Sequence, residues 1–245
     1  MSPLVTVITS SLNDALNLSL TLQQVSSWGY PNIEYIIVDG GSTDNTIEVV
    51  RSYGSLVSHF INEPDAGIYD AWNKGIRIAS GDYIAFLGAG DSYVPRGLSK
   101  LVDCAEQKPS ADYISSKVAV RDGARVISVF GKPWCWKCFR RYMNTAHPGS
   151  LHSKRLFHHY GQFDISYKIA GDYEFLLRPG SELQAAFLDE ITVNMVAGGI
   201  SCTGYGVFEE EERAKNAHMT VPQTLSRIDR CIHTFKRWAR IQLGY

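Results

Sequence analysis

Short apolar runs recur through the first hundred positions, separated by stretches whose apolar residues are spaced for helices. Leu4–Thr9, Ile33–Val38, Leu56–Ile61 and Tyr83–Leu87 are rich in β-branched residues and read as buried strands. Between the last two, Ile68, Ala71, Trp72, Gly75, Ile76 and Ala79 recur at i, i+3, i+4, i+7, i+8 and i+11, which predicts a helix from about Ile68 to Ala79. Asp70, Asn73, Lys74 and Arg77 lie off that stripe. After Gly40-Gly41, Ser42 or Thr43 can cap a helix carrying Ile47, Val50 and Tyr53, closed at Gly54. Leu16, Leu18, Leu20 and Leu22 alternate as in a strand, but two buried parallel strands need a crossover, so a helix is expected there.

Strand–helix alternation with apolar strands predicts an α/β chain whose largely parallel sheet is covered on both faces. Ligands of such sheets bind outside the carboxyl ends of the strands. The polar residues at those ends are Ser10, Ser11, Asn13, Asp39, Glu63, Asp65 and Asp91, four carboxylates among them.

The second half changes pattern. Pro95 opens a helix with Leu98, Leu101, Val102 and Ala105, and Tyr113–Arg121 and Arg125–Phe130 flank Asp122-Gly123 as a hairpin. Aromatic and basic residues crowd Trp134–Tyr142. Short helices are expected at Ser153–Tyr160 and from Asp172 to Leu177, a strand within Ala185–Val196, and helix from about Val207 onward. The expected organisation is a first half at 1–100, a second half of the same domain at 101–204, and a helical tail at 205–245.

With 245 residues, 44% hydrophobic and 20% charged, the chain is that of an ordinary folded domain. Its net charge of −1 gives no basic field, so nucleic acid is not an expected partner. No basic stretch precedes the first apolar run, and no run is long enough for a membrane span. Five cysteines, an odd number, read as reduced thiols of a cytoplasmic protein. Cys135-Trp136-Lys137-Cys138 could be half a zinc site or a redox pair. No second close pair and no thioredoxin-like strand accompany it, so it reads as two thiols in an aromatic segment.

The stretch Asn62–Asp91 contains Pro64-Asp65-Ala66-Gly67-Ile68-Tyr69-Asp70-Ala71-Trp72-Asn73-Lys74-Gly75, then Gly81-Asp82-Tyr83 leading to Gly88-Ala89-Gly90-Asp91. With Val38–Thr46, Ile169–Arg178 and Gly198–Ser201, it resembles the family 2 glycosyltransferases, especially enzymes of bacterial surface-polysaccharide synthesis. The resemblance spans about residues 4–201, and implies that 1–100 is a nucleotide-sugar-binding half and 101–204 an acceptor-binding half of the same domain. It implies a GT-A-type, Rossmann-like mixed sheet flanked by helices, and inverting transfer from a nucleotide sugar, often UDP-linked. The implied acceptor is a glycan or lipid-linked glycan at the cytoplasmic face of the cell membrane.

Such a donor needs a base and ribose pocket and a neutralised diphosphate. Thr9, Ser11, Asn13, Asp39, Asp65, Asn73, Lys74 and Gly90 are the candidate donor contacts. Asp39 can accept from base or ribose, and Lys74 can offset phosphate charge. The resemblance puts Mg²⁺ or Mn²⁺ at the end of the fourth strand, where the usual two carboxylates are reduced to Asp91 alone. A hard dication can complete its shell with diphosphate oxygens and water. By the same resemblance Asp172 is the base that deprotonates the acceptor, with Glu174 in reserve, and a helix N-terminus favours its ionised form. His147 is expected to touch acceptor or phosphate.

The tail Val221–Tyr245 carries Arg227, Arg230, Lys236, Arg237 and Arg240 against Asp229, with Leu225, Ile228, Ile232, Phe235, Trp238, Ala239, Ile241 and Leu243 at helical spacing. A basic amphipathic helix of this kind can lie on an anionic membrane, or else close the core. Two further readings compete: a catalytically weak nucleotide-sugar-binding protein, and a sugar nucleotidyltransferase. The basic glycine-rich loop of the latter is missing after the first strand, where Ser10–Asn17 stands.

Overall fold

The computed structural model describes residues 2–199 and 204–242, without the side chains of 240 and 241. The first half runs β1 (Val5–Ser11), α1 (Ala15–Gln24), β2 (Ile33–Asp39), α2 (Thr46–Ser52), β3 (His59–Asn62), α3 (Ile68–Ile78) and β4 (Tyr83–Phe86). The second half runs β5 (Ser92–Tyr93), α4 (Gly97–Gln107), β6 (Tyr113–Asp122), β7 (Arg125–Phe130), α5 (Trp136–Phe139), β8 (Ser150–Ser153), α6 (Lys154–Tyr160), α7 (Gly171–Leu177) and β9 (Ala185–Val196). Two helices follow, α8 (Gly206–Ala217) and α9 (Gln223–Gln242).

One sheet joins both halves, in the order β3-β2-β1-β4-β8-β6-β9-β5, with β7 pairing β6. β1 pairs in parallel with β2 and β4, and β2 with β3. The carboxyl ends of these strands therefore share one rim. Beyond β4 the sheet turns mixed: β8 is antiparallel to β4 and β6, whereas β9 is parallel to β6. The largely parallel expectation thus holds only for the first half. β5 and β8 were not foreseen, because β5 has only two residues and β8, Ser-Leu-His-Ser, has one apolar residue and so no apolar run.

Alternation along the strands fills two layers. Val5, Val7, Tyr35 and Ile37 point to the face covered by Leu18 and Leu22 of α1, Val50 of α2 and Leu98 and Leu101 of α4. Ile8, Ile36 and Val38 point to the face covered by Trp72 and Ile76 of α3 and by α6, α7 and α8. Gly75 is required where α3 crosses β1, since a Cβ there would lie 2.8 Å from Ile8. The Leu16–Leu22 stretch is helical, as the crossover demands, and Leu16 and Leu20 are left exposed.

Two local expectations are corrected. The α2 start is held by Asp44, whose Oδ1 accepts from Thr46 N at 3.0 Å, not by Ser42 or Thr43. The C-terminal helix is broken in two at Met219–Pro222, where Met219 takes φ 49° and Pro222 blocks continuation. No helix among the described residues is long and apolar enough to cross a membrane. Ile200–Thr203 and Leu243–Tyr245, including part of the Gly198–Ser201 motif and the end of the tail, lie outside the described residues.

Candidate active site

The rim begins where β1 and β2 end side by side. Asp39 is fully buried. Its Oδ2 accepts from Gly41 N at 3.1 Å and Ser42 N at 2.8 Å, and Oδ1 accepts from the Ser42 hydroxyl. These donors lock the turn after β2 and hold the Asp39 carboxylate in place beside the rim. Asn13, at φ 51°, ties the loop after β1 to that turn: its Oδ1 accepts from Thr43 N at 2.8 Å, and its N donates to Ser42 Oγ at 2.7 Å. Asp65 closes the corner from the β3–α3 loop. Its Oδ1 accepts from Gly67 N at 2.9 Å, and Oδ2 sits where a Cβ on Gly40 would lie 2.6 Å away. Ser11 Oγ is buried there without a hydrogen-bond partner among the described residues.

Three donor candidates are instead committed internally. Thr9 is fully buried below the rim and accepts from the Tyr35 hydroxyl at 3.1 Å. Asn73 pairs with the Phe163 backbone through both ends of its amide, Nδ2 to Phe163 O at 2.8 Å and Phe163 N to Oδ1 at 3.0 Å. Lys74 is not a surface lysine. Its ammonium is buried against Pro64 O at 2.7 Å, Glu63 Oε1 at 3.1 Å and Glu63 O at 3.5 Å, which holds the β3–α3 loop in place. The helical pattern located both polar side chains off the apolar stripe, but could not show that a later loop would cover them.

At the end of β4, Gly90 (φ 89°) donates from its N to Thr21 Oγ1 at 2.9 Å, and Thr21 donates in turn to Asp91 O at 3.0 Å. Asp91 Oδ1 accepts from Val196 N at 2.9 Å, so the carboxylate bridges β4 to the end of β9. Its Oδ2 lies against Gly88, where a Cβ would come within 2.9 Å. Burial pushes the Asp91 carboxyl up to about 7 despite these hydrogen bonds. Among the described residues no group of three or more His, Cys, Asp or Glu side chains is arranged to hold a metal ion. An ion here would have to draw most of its ligands from substrate and water, which suits a single hard carboxylate oxygen.

Asp172 stands at the head of α7, half-buried. Oδ1 accepts from Tyr173 N at 2.9 Å and faces the Tyr69 hydroxyl at 3.1 Å; the same hydroxyl is 2.8 Å from Ile169 O. The Tyr69 ring lies flat on Gly171, where any Cβ would meet it at 2.8 Å. Burial pushes Asp172 up to about 6, overriding the helix-end effect expected from sequence. The loop before α7 is pinned twice more. Glu210 Oε2 accepts from Ile169 N and Ala170 N at 2.8 Å each, and Lys168 Nζ donates to Ala66 O at 2.6 Å. Asp172 is thereby fixed beside the Asp65 loop. Tyr69 and Glu210 were missed in the sequence. Tyr69 stood inside a recognisable motif, but its target lies a hundred residues on.

Glu174, the reserve base, is sequestered. Burial would raise its carboxyl, but hydrogen bonds from His218 at 2.7 Å and from Arg178 at 2.6 and 3.0 Å outweigh it and hold it low. His147 is likewise no charged contact. Its ring stacks against Trp72 (4.9 Å) and Phe86 (5.1 Å), and burial drops its pKa to about 3. It packs the loop before β8 beside the buried His152.

A half-parallel, half-mixed sheet with a carboxylate-lined rim defines a GT-A-type α/β protein. Staphylococcus aureus TarS residues 1–349, solved with UDP, superposes with a TM-score of 0.71 at 16% identity, over 91% of this chain and 68% of that one. A mannosyltransferase from Pyrobaculum calidifontis, solved with GDP-Man and Mn²⁺, gives 0.63 at 18% identity, over 89% and 62%. The model of Glycosyl transferase family 2 matches residues 6–161, and the chain belongs to that family as a glycosyltransferase. An uncharacterised glycosyltransferase of Mycobacterium tuberculosis is 28% identical over 90% of this chain and 86% of its own length. A "PGL/p-HBAD biosynthesis glycosyltransferase" of Mycobacterium bovis is 28% identical over 72% and 70%.

Proposed function

We propose that the chain transfers a sugar, with inversion, from a nucleotide-sugar donor, UDP-linked in the first instance, to a glycan or lipid-linked acceptor in cell-surface polysaccharide synthesis. The observation that carries this reading is Asp172, half-buried, pinned by Tyr69 and Tyr173 at the rim that also holds Ser11, Asp39, Asp65 and Asp91. A carboxylate with a pKa near 6 is ionised at neutral pH and still basic enough to take a proton as transfer proceeds. The acceptor hydroxyl gives its proton to Asp172 while its oxygen bonds to the anomeric carbon. The bond from that carbon to the diphosphate breaks on the opposite face. Ser11 Oγ and the Asp39 turn offer polar contacts to base and ribose. Asp91 Oδ2 would hold Mg²⁺ or Mn²⁺ together with diphosphate oxygens, and such an ion offsets charge on the leaving diphosphate. The complexes of the fold relatives with UDP, GDP-Man and Mn²⁺ agree with this choice of ligands.

The tail supports work at the inner face of the cell membrane. α9 turns its polar side inward, through Asp229 to Arg141 and Lys215, Arg230 to Glu212 and His233 to Glu211. Its apolar side faces out: Ile228, Ile232, Phe235 and Trp238 are 52, 41, 64 and 50% exposed. At 100° per residue these four fill an arc of roughly 120°, with Arg227 and Lys236 just beyond either edge. That is the arrangement of an interfacial helix on anionic lipid.

The test is transfer of label from radioactive UDP-glucose, UDP-galactose, UDP-GlcNAc and GDP-mannose into an extract of the organism's own membranes. One donor should raise the melting temperature and be consumed. Asp172→Asn should keep the thermal shift and lose transfer by roughly 10²–10⁴, the usual worth of a general base. Wild-type turnover by Asp172→Asn, or no thermal shift with any nucleotide sugar, would overturn the reading.

A further inference from the structure

The Cys135–Cys138 pair takes no part in the chemistry above, yet its geometry is specific. Cys138 N and Phe139 N both donate to Cys135 O, at 2.9 and 2.7 Å, which winds the segment into one tight turn. The two sulfurs are hydrogen-bonded at 3.3 Å. Cys135 is exposed and Cys138 half-buried. The turn cannot drift, because Phe139 is fully buried between Trp134 (4.4 Å) and Tyr173 (5.1 Å). Trp136, between the two cysteines, stacks along Trp134 and lines a 410 Å³ groove with Tyr160, Gly180 and His218. Downstream, Arg140 O accepts from Thr220 Oγ1 and Arg141 O from Lys215 Nζ, both at 3.2 Å, and Arg141 pairs with Asp229. The turn is thus the brace on which the C-terminal helices rest.

From this geometry we infer that Cys135 and Cys138 form a reversible dithiol–disulfide site that accepts oxidising equivalents from small-molecule disulfides. Thiol–disulfide exchange needs an accessible attacking thiolate and a second thiol in reach to resolve the adduct. Cys135 is the attacking group. The hydrogen bond it shares with Cys138 lowers its pKa, and Lys137 acts in the same direction, whereas Cys138 is raised by its partner. In the first step the Cys135 thiolate bonds to one sulfur of oxidised glutathione, and the other glutathione leaves as thiolate and takes up a proton. In the second, Cys138 gives up its proton and attacks the Cys135 sulfur, expelling the second glutathione as thiol. The protein loses two protons and two electrons, and the disulfide gains them. The link would close the turn beneath Trp136 and stiffen the brace under α8 and α9. A glutathione-poised cytoplasm would return the pair to dithiol.

The test uses the full chain, oxidised glutathione as probe, alkylation of remaining thiols and peptide mapping by mass spectrometry. Wild type should show a Cys135–Cys138 link that dithiothreitol reverses. Cys138→Ser should trap a glutathione adduct on Cys135, formed at least about tenfold faster than on Cys231, which is also exposed. Cys135→Ser should leave Cys138 unmodified over the same time. The wild-type map needs no variant to fold. Absence of the internal link, or reaction at Cys135 no faster than at Cys231, would overturn the inference. None of these outcomes depends on glycosyl transfer or on Asp172.

Discussion

Replacing Tyr69 with Phe removes one oxygen from the contact that joins the two halves of the site, while the ring keeps its seat on Gly171. The hydroxyl points between Ile169 O at 2.8 Å and Asp172 Oδ1 at 3.1 Å, so its proton is shared. A hydrogen bond to a charged group is worth about 1.5–3 kcal/mol, and the sharing argues for the lower end. At about 1.4 kcal/mol per pKa unit, its loss should raise Asp172 by about one unit, from about 6 to about 7. The sign follows from the chemistry. The hydroxyl stabilises the carboxylate against burial, so without it protonation occurs at higher pH. Since the ionised form is the base, activity should then be lost earlier as pH falls. The assay is kcat against pH from 5 to 9. The acid limb should move up by about one unit. The loss should be roughly fivefold at pH 6, about twofold at pH 7 and small at pH 9. An acid limb left at its wild-type position, with activity reduced equally at every pH, would refute a role for Tyr69 in holding the base. An acid limb that persists in Asp172→Asn would refute Asp172 as its origin.

Lys74→Met should lower stability by about 1.5–3 kcal/mol, because Pro64 O and the Glu63 carboxylate lose a buried cationic donor. Calorimetry should show a drop of several degrees with the donor KM nearly unchanged, and a tenfold rise in KM at unchanged melting temperature would return Lys74 to the donor site. Asp91→Asn should abolish the extra thermal stabilisation that Mn²⁺ gives in the presence of UDP; an increment equal to wild type would remove Asp91 from metal binding. Phe235→Ser combined with Trp238→Ser changes only exposed side chains. It should stop flotation with phosphatidylglycerol–phosphatidylcholine vesicles without lowering the melting temperature. Undiminished flotation would place the membrane contact elsewhere or nowhere.

The parts of this protein that local chemistry governs were legible in the chain. Apolar, β-branched runs located the four strands of the parallel half, 3.6-residue spacing the helix at Ile68–Ile78, and the Asp122-Gly123 turn the hairpin, because each is set by burial or turn chemistry of neighbouring residues. The Glu63–Asp91 stretch and the Gly171-Asp172 pair pointed to the family, and the family match is shown. The roles of single polar residues were less legible. Asn73, Lys74 and Thr9 were read as donor contacts from their place on an element. Folding gave each a buried partner from another segment: Phe163, the Glu63–Pro64 carbonyls and Tyr35.

The sequence by itself determined the α/β alternation, the common rim for the carboxyl ends of the strands and the presence of Asp39, Asp65 and Asp91 there. Backbone periodicity and strand direction suffice for that. Only the tertiary structure decided which of the polar side chains remain available to a ligand, that Tyr69 reaches across to Asp172, and that α9 wears its apolar side outward. Burial and hydrogen-bond partners come from residues distant in the chain, and they set whether a group is spent, ionised or exposed.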